Sequence, residues 1–517
     1  MYFLINDDSV IEGVLSGRFT GTPDGHAVYL RYPLSWLLSK LYSLLPGIPW
    51  YGLFLLSCYV FAFLAFGCAC YKKLGKRYIC YTGFAAAALF LLLPNFITVH
   101  YTVATAALAA GAIMLTLAEG PMWLTALAMG LCYCLRKEVF LLAIPFWGAV
   151  LLWKVLQKPC NYKKWGYLVL ATLGLTGMFM GINSLVYRSD TWQDFLQYND
   201  ARTQLYDYEW FVPYEDQPEA YEAQGISERD FTLIASYELM LEEDLTAEDF
   251  EKVMAANAGN VWVDTPMHTL KRMLVKYRDW VLHPTEAYTW IAIAIYAVLL
   301  GLLLWRRAWL QALLVLCLGM GRSVIWIYLF MKGRFPEHVM LSLFVLEFAV
   351  LFGFLLEEVA ANTQGKRKTV VTILCAVLAL GFGAGAVYDS VEAVQRQVAQ
   401  GRKRAEFEPL REYFEEHPEE VYLLDIVSMW DYSQGVLETG PRLQNYFLAG
   451  GWASGSPMAN QRFAQIGAAD GADALLRLSQ VHYVIEKDRA YDWLELYLGE
   501  PVKRVEQIGE FKILSWH

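Results

Sequence analysis

The chain is poor in charge and in ordered cysteine chemistry, and both absences narrow what it can be. Charged residues make up only 18% of its 517 positions. A soluble protein of that length is rarely so uncharged, or so apolar at 56% hydrophobic residues and a mean hydropathy of +0.31. Most of the nine cysteines sit inside apolar runs, at Cys58, Cys68, Cys70, Cys132, Cys134, Cys317 and Cys375. No metal-ligand spacing appears outside those runs, which argues against a disulfide framework or a zinc site. Cys132 and Cys134 read as small packing residues of a helix. No short-period repeat is present. The net charge of -10 disfavours nucleic acid as a partner.

What is present is a series of long apolar runs. A span needs roughly 20 apolar residues, and by that rule there are about ten. They read as Trp50–Tyr71, Tyr78–Pro94, Phe96–Ala118, Met122–Leu135, Val139–Leu156, Trp165–Tyr187, Tyr288–Trp305, Ala308–Met331, Pro336–Leu356 and Thr369–Tyr388. Many Trp, Tyr and Phe residues suit interfacial belts as well as a core. A lipid bilayer is therefore an expected partner, and the plasma membrane the expected location.

Basic residues orient the runs. Lys72–Arg77, Lys154–Lys164, Arg306–Arg307 and Glu357–Lys368 are rich in Lys and Arg, and Glu119–Pro121 falls on the same side by alternation. Cytoplasmic loops collect such residues. The connections at Asn95, Arg136–Glu138, Arg188–Ala287 and Lys332–Arg334, with everything after Tyr388, then lie outside, as does the acidic pair Asp7-Asp8. Met1 to Ile5 resemble the end of a span, so a further transmembrane helix is expected ahead of them, the alternative being a short N-terminus that is simply translocated.

The expected fold class is mainly α. It is a polytopic helical bundle with a helical external loop and a small C-terminal α/β domain. The domain reading is 1–48 for the acidic pair and interfacial helices, 49–187 for a first membrane block, and 188–287 for the large loop. A second block follows at 288–388, and a soluble domain at 389–517. Tyr29 to Leu45 mixes apolar residues with Arg31, Pro33 and Lys40, as interfacial helices do. In the loop, Ser227-x-x-Asp230 and Thr246-x-x-Asp249 match capping boxes. Gly259 suits a helix end, and Thr265-Pro266 opens a basic amphipathic helix. In the C-terminal region, strands are expected at Val421–Ile426, Val481–Glu486 and Phe511–Trp516, and helices at Glu408–Glu416 and Asp492–Leu498.

Several side chains could carry chemistry. Asp7 and Asp8 could deprotonate an acceptor hydroxyl, one carboxylate acting and the second orienting it or holding a metal. Asn-Asp-Asp-Ser is equally good helix-capping chemistry. Arg136-Lys137-Glu138 either marks a membrane boundary or binds a phosphate through its cations. Arg322, deep in a span, points to substrate contact or to an ion pair with another helix. Lys332-Gly333-Arg334-Phe335-Pro336-Glu337-His338 could anchor a helix end or clamp a second phosphate. His100 and Tyr101 could line the same cavity, although a lone His is more often structural. Tyr198-Asn199-Asp200-Ala201-Arg202 and Tyr206-Asp207-Tyr208 place rings beside polar groups, as sugar sites do and as packed helices do. Gly450-Gly451-Trp452 could cover a site.

The order of parts resembles the GT-C superfamily of integral membrane glycosyltransferases. It is most similar to the branch using dolichyl- or polyprenyl-phosphate sugars, which includes protein mannosyltransferases and the aminoarabinose transferase. Asp7-Asp8 stands where that branch has Asp-Glu. Gly17, Gly21 and Pro23 follow, and Arg31-Tyr32-Pro33-Leu34 stands at its Lys-Pro-Pro-Leu-like element. Gly130 through Arg136 and Glu138 match its Arg-rich helix end, and Gly333-Arg334-Phe335-Pro336 loosely matches its late Arg-Tyr-x-x-Pro. The second acid is Asp rather than Glu, and the 188–287 loop is long and acidic for that branch. The resemblance implies Asp7 as general base, Asp8 as its partner or a metal ligand, and Arg136 and Arg334 facing donor phosphate. It leaves room for a divalent cation, Mg or Mn. The expected partners are a polyprenyl-phosphate sugar donor and an envelope glycan, lipid or protein acceptor. The rival expectations are a non-catalytic scaffold or transporter of envelope polysaccharide, and a polysaccharide polymerase.

Overall fold

A computed structural model describes residues 1–4, 6–157, 161–209, 211–258, 266–283, 287–333, 336–362 and 365–517. Gly259, Thr265, Arg334 and Phe335 therefore lie outside the described residues. The chain opens with α1 (Asn6–Ser16) and α2 (Tyr32–Leu44). The first apolar block is α3 (Trp50–Leu74), α4 (Tyr78–Ile97), α5 (Tyr101–Leu117), α6 (Met122–Leu135), α7 (Lys137–Leu156) and α8 (Tyr162–Val186). A polar helical unit follows: α9 (Asp190–Tyr208), α10 (Pro218–Ala223), α11 (Glu228–Ser236), α12 (Ala247–Asn257) and α13 (Pro266–Leu282). The second apolar block is α14 (Tyr288–Trp305), α15 (Trp309–Lys332), α16 (Glu337–Ala361) and α17 (Gly365–Glu416).

Among the described residues, 8 helices are long and apolar enough to cross a membrane, with α5 and α6 as shorter apolar helices. The protein is a multi-pass helical membrane protein. Leu170, Leu173, Leu185, Leu313, Leu316, Val324 and Leu380 are exposed on α8, α15 and α17, where lipid would cover them. Every residue of α5 is buried. Its small side chains let α3 approach closely: a Cβ on Gly111 would meet the Phe61 ring at 2.6 Å. Such close approach is how helices pack where water supplies no drive.

The polar turns assigned to one side by their Lys and Arg do meet at one end of the bundle. Glu357 lies 2.8 Å from both Lys73 and Lys154. Glu119 is 3.5 Å from Lys154 and 3.3 Å from Lys164, and Arg306 is 2.8 Å from Glu358. Arg77 donates to the Val359 carbonyl at 2.8 Å. Glu119, the turn without positive charge, is thus drawn in by the lysines of its neighbours.

Four features differ from the sequence reading. The span expected at Phe96–Ala118 starts only at Tyr101. Val99 forms a bridge with Phe3, and the buried His100 accepts from Thr102 N at 2.9 Å to cap α5. Asn95 is buried in the last turn of α4 rather than in a connection. Tyr2 and Phe3 are extended, bridging to Gly435 and Val99, rather than the end of a helix. And α17 runs unbroken for 52 residues through the expected boundary at Tyr388, about 78 Å at 1.5 Å per residue. No proline interrupts it before Pro409, and the Arg396–Glu392 pair at 2.8 Å supports its polar half.

The C-terminal unit contains β1 (Val421–Leu424), β2 (Tyr446–Leu448), α18 (Pro457–Ile466), α19 (Gly471–Arg477), β3 (Val481–Glu486), α20 (Asp492–Leu498), β4 (Arg504–Ile508) and β5 (Phe511–Ser515). The strands form one mixed sheet in the order β2-β1-β3-β5-β4. β1 is parallel to β2 and β3, while β5 is antiparallel to β3 and β4. The polar helical unit docks against this sheet: Met240 N donates to the Ala449 carbonyl at 2.9 Å, and Arg229 to the Tyr497 carbonyl at 2.7 Å. Both capping boxes read from the sequence are formed, at Ser227/Asp230 and Thr246/Asp249. α2 leaves Trp36, Leu37 and Leu44 exposed, as an interfacial helix does.

Candidate functional site

At the end of the bundle opposite the basic turns, α1, the polar helical unit and the C-terminal sheet enclose a cavity of about 310 Å³. Asp7 and Gly13 line it from α1, Tyr29 from the segment before α2, and Arg202, Asp207 and Tyr237 from the helical unit. The C-terminal unit supplies Trp430, Tyr432, Gln434, Gln444, Tyr446 and Trp452, among others.

Asp7 and Asp8 both occupy the first turn of α1, where the positive end of the helix dipole favours carboxylates. Their surroundings differ because successive residues on a helix point about 100° apart. Asp8 is fully buried and accepts a hydrogen bond from Tyr51 OH at 2.7 Å. Burial pushes its carboxyl well above the usual range, against the lowering effect of the Tyr51 bond. Asp7 instead lines the cavity, and its charge acts on Tyr29, Tyr237 and Arg136.

Arg136 sits at the break between α6 and α7. It donates to Tyr101 OH, and its Nε is 3.0 Å from Glu138 Oε2. Its guanidinium lies 5.1 Å from the centre of the Tyr101 ring and 5.3 Å from that of Tyr29. Burial opposes the Arg136 charge, but the Tyr101, Glu138, Tyr29 and Asp7 groups outweigh it and raise its pKa. Lys137 and Glu138 are exposed beside it.

Arg202 reaches the other side of Tyr29. It donates to Tyr29 OH at 3.2 Å, to Tyr237 OH, to Asn199 Oδ1 at 3.0 Å and to Thr203 Oγ1 at 3.1 Å. All four acceptors are neutral, so these bonds hold the guanidinium in place without cancelling its charge. Tyr29 is thus held between two arginines. Tyr237, in a left-handed backbone conformation at φ 67°, packs against Gly450, where a Cβ would fall 2.0 Å from the Tyr237 carbonyl oxygen. That contact explains a glycine in the Gly450-Gly451-Trp452 turn, which does lie in the cavity wall.

Other expected site residues are placed elsewhere. Of the two readings of Arg322, substrate contact and an ion pair with another helix, the structure shows the ion pair: its Nε is 2.7 Å from Glu347 Oε1 on α16, and it donates to Tyr277 OH at 3.2 Å. The desolvation cost of a buried arginine in a span explains that pairing. His100 caps α5 and stacks on His338 with 4.3 Å between ring centres. Burial pushes its pKa well below the usual value, which keeps the imidazole neutral and able to accept. Arg334 lies outside the described residues, and Gly333 beside it closes α15 at φ 71°. The described residues contain no group of three His, Cys, Asp or Glu side chains that could hold a metal ion. Asp8 faces Tyr51 rather than the cavity.

Sequence reasoning passed over Tyr29, Tyr237 and the buried pair Glu238–Asp425. Glu238 Oε1 accepts from Ile426 N at 2.7 Å at the joint between the helical unit and the sheet. Burial first, and then the Asp425 carboxylate, push its carboxyl well above the usual range. These residues come from segments hundreds of positions apart, and no local pattern announces them.

Comparison with protein-family models, curated proteins and solved structures gave no significant match. The architecture itself identifies the chain as a polytopic helical membrane protein carrying a small mixed α/β domain.

Proposed function

We propose that the protein is a membrane glycosyltransferase. It moves a sugar from a polyprenyl-phosphate-linked donor to a cell-envelope acceptor in the cavity beside α1. The observation that carries this reading is the placement of Asp7. It lines a cavity shared with Arg202 and adjoining Arg136, at the end of the bundle away from the basic turns. By the distribution of Lys and Arg, those turns are cytoplasmic, and the cavity opens on the outer face. The resemblance to GT-C transferases supports the same assignment of Asp7.

In the proposed reaction, an acceptor hydroxyl attacks the anomeric carbon of the donor. The new glycosidic C–O bond forms as the bond from that carbon to the phosphate oxygen breaks. The bonding electron pair leaves with the polyprenyl phosphate, and the hydroxyl proton passes to Asp7. Arg202, held by phenols, an amide and a hydroxyl, is a preorganised cation for the charge growing on the phosphate, and Arg136, paired at its Nε with Glu138, adds a second. Asp8 positions α1 through Tyr51.

Transfer of radiolabelled sugar from a panel of polyprenyl-phosphate sugars, in membranes carrying the parent or Arg202→Gln, tests the reading. Transfer by the parent that falls in the variant supports it. The absence of transfer from every donor returns the chain to the scaffold and polymerase readings.

A further inference from the structure

Half of the cavity wall comes from the C-terminal α/β unit, and its chemistry differs from the half around Asp7. Its cations are already matched: Arg404 lies 3.0 Å from Glu438, and Arg18, reaching in from α1's end, forms a buried pair with Glu12. Between them stand two amides, Gln434 and Gln444, and the rings of Trp430, Tyr446 and Trp452. Trp452 is only 4% exposed, and its indole N–H has no hydrogen-bond partner. A buried donor left unmade is costly, so its place in a cavity wall points to an acceptor atom supplied by a ligand.

We infer that this half of the cavity is a subsite for a neutral saccharide, the acceptor glycan, with a sugar oxygen accepting from Trp452. Ring faces cover the apolar C–H side of a sugar, amides meet its hydroxyls, and matched ion pairs offer no net charge to a phosphate or uronate. Arg202, whose hydrogen bonds go to neutral groups, lies at the other half with Asp7, where donor phosphate belongs. The α/β unit thereby selects the acceptor. This inference rests on the transferase reading for the word acceptor, but the subsite itself needs no donor.

The test is binding of glycans to the purified full chain in detergent. It uses saturation-transfer NMR and a panel of neutral disaccharides (glucose, galactose, mannose and N-acetylglucosamine units) beside galacturonate and sugar-phosphate counterparts. Trp452→Phe keeps the ring and removes the N–H; Trp430→Ala removes an exposed ring of the wall. The expected result is binding of a neutral disaccharide, weakened about tenfold or more in each variant, with uronates and sugar phosphates bound more weakly. Binding that favours the acidic members, that ignores both substitutions, or that is absent for the whole panel overturns the inference. Glycan binding without sugar transfer would instead remove the transferase reading and leave the subsite. Transfer to a protein or lipid acceptor without glycan binding would do the reverse.

Discussion

Asp8 accepts a 2.7 Å hydrogen bond from Tyr51 OH in a pocket closed to solvent. Its neighbour Asp7 turns to the cavity instead. The adjacent carboxylates are therefore not interchangeable, and their variants should separate. Asp8→Asn keeps an acceptor for Tyr51 and removes a carboxyl that the fold holds protonated above its normal range. The thermal midpoint in detergent should be equal or higher in Asp8→Asn. Asp8→Ala, which leaves Tyr51 OH without its partner, should lose about 1–3 kcal/mol.

The Asp207 carboxylate also lines the cavity, so it is the natural control for Asp7. If Asp7 is the base, Asp207→Asn should lower kcat less than tenfold, while loss of a general base costs about 100-fold to 10,000-fold. Steady-state kinetics of the two variants decides between the carboxylates.

Arg322 and Glu347 make a bundle-internal pair at 2.7 Å. Removing either partner alone should destabilise by about 3–5 kcal/mol, and the double change Arg322→Met with Glu347→Leu should recover much of that. Thermal denaturation in detergent measures the cycle. Sugar transfer by the refolded double variant should stay within a few-fold of the parent, because neither group lines the cavity beside Asp7.

Glu238 gives a pH signature. Its unfolded carboxyl ionises near about 4.3, while burial and Asp425 hold the proton in the fold to higher pH. The folded state then binds more protons over that interval, and stability falls as pH climbs through it. The groups around Glu238 are Asp425, Tyr483 and Arg489, the last 3.3 Å from Asp425. Glu238→Gln should be more stable than the parent from about pH 4 upward, with the gap growing until Glu238 itself ionises. Thermal midpoints across pH check this.

The membrane bundle was legible because hydropathy and Lys/Arg placement act through the solvent, which each segment meets alone. The lysines around Glu357 and Glu119 converge as that logic requires. The C-terminal strands with buried apolar runs, such as Val481–Glu486, were equally plain. β2 is three residues long and β4 is a largely exposed edge, so neither carries such a pattern. The continuity of α17 past Tyr388 was hidden because hydropathy changes there while helix propensity does not. Arg322 was half legible for a related reason: depth in a span shows that a charge needs a partner, and only packing reveals that the partner is Glu347. The cavity was half legible. Asp7, Arg136 and Arg202 stand out as polar residues at helix ends and on polar helices. The Gly450-Gly451-Trp452 turn stands out too, while Tyr29 and Tyr237 join them only through the docking of distant segments.

The most direct measurement is the rate of sugar transfer from a polyprenyl-phosphate donor by the parent and by Asp7→Asn, at matched thermal stability. The account predicts measurable transfer by the parent and a fall of about 100-fold or more in the variant, with donor binding retained. An Asp7→Asn protein that transfers sugar at the parental rate would contradict it.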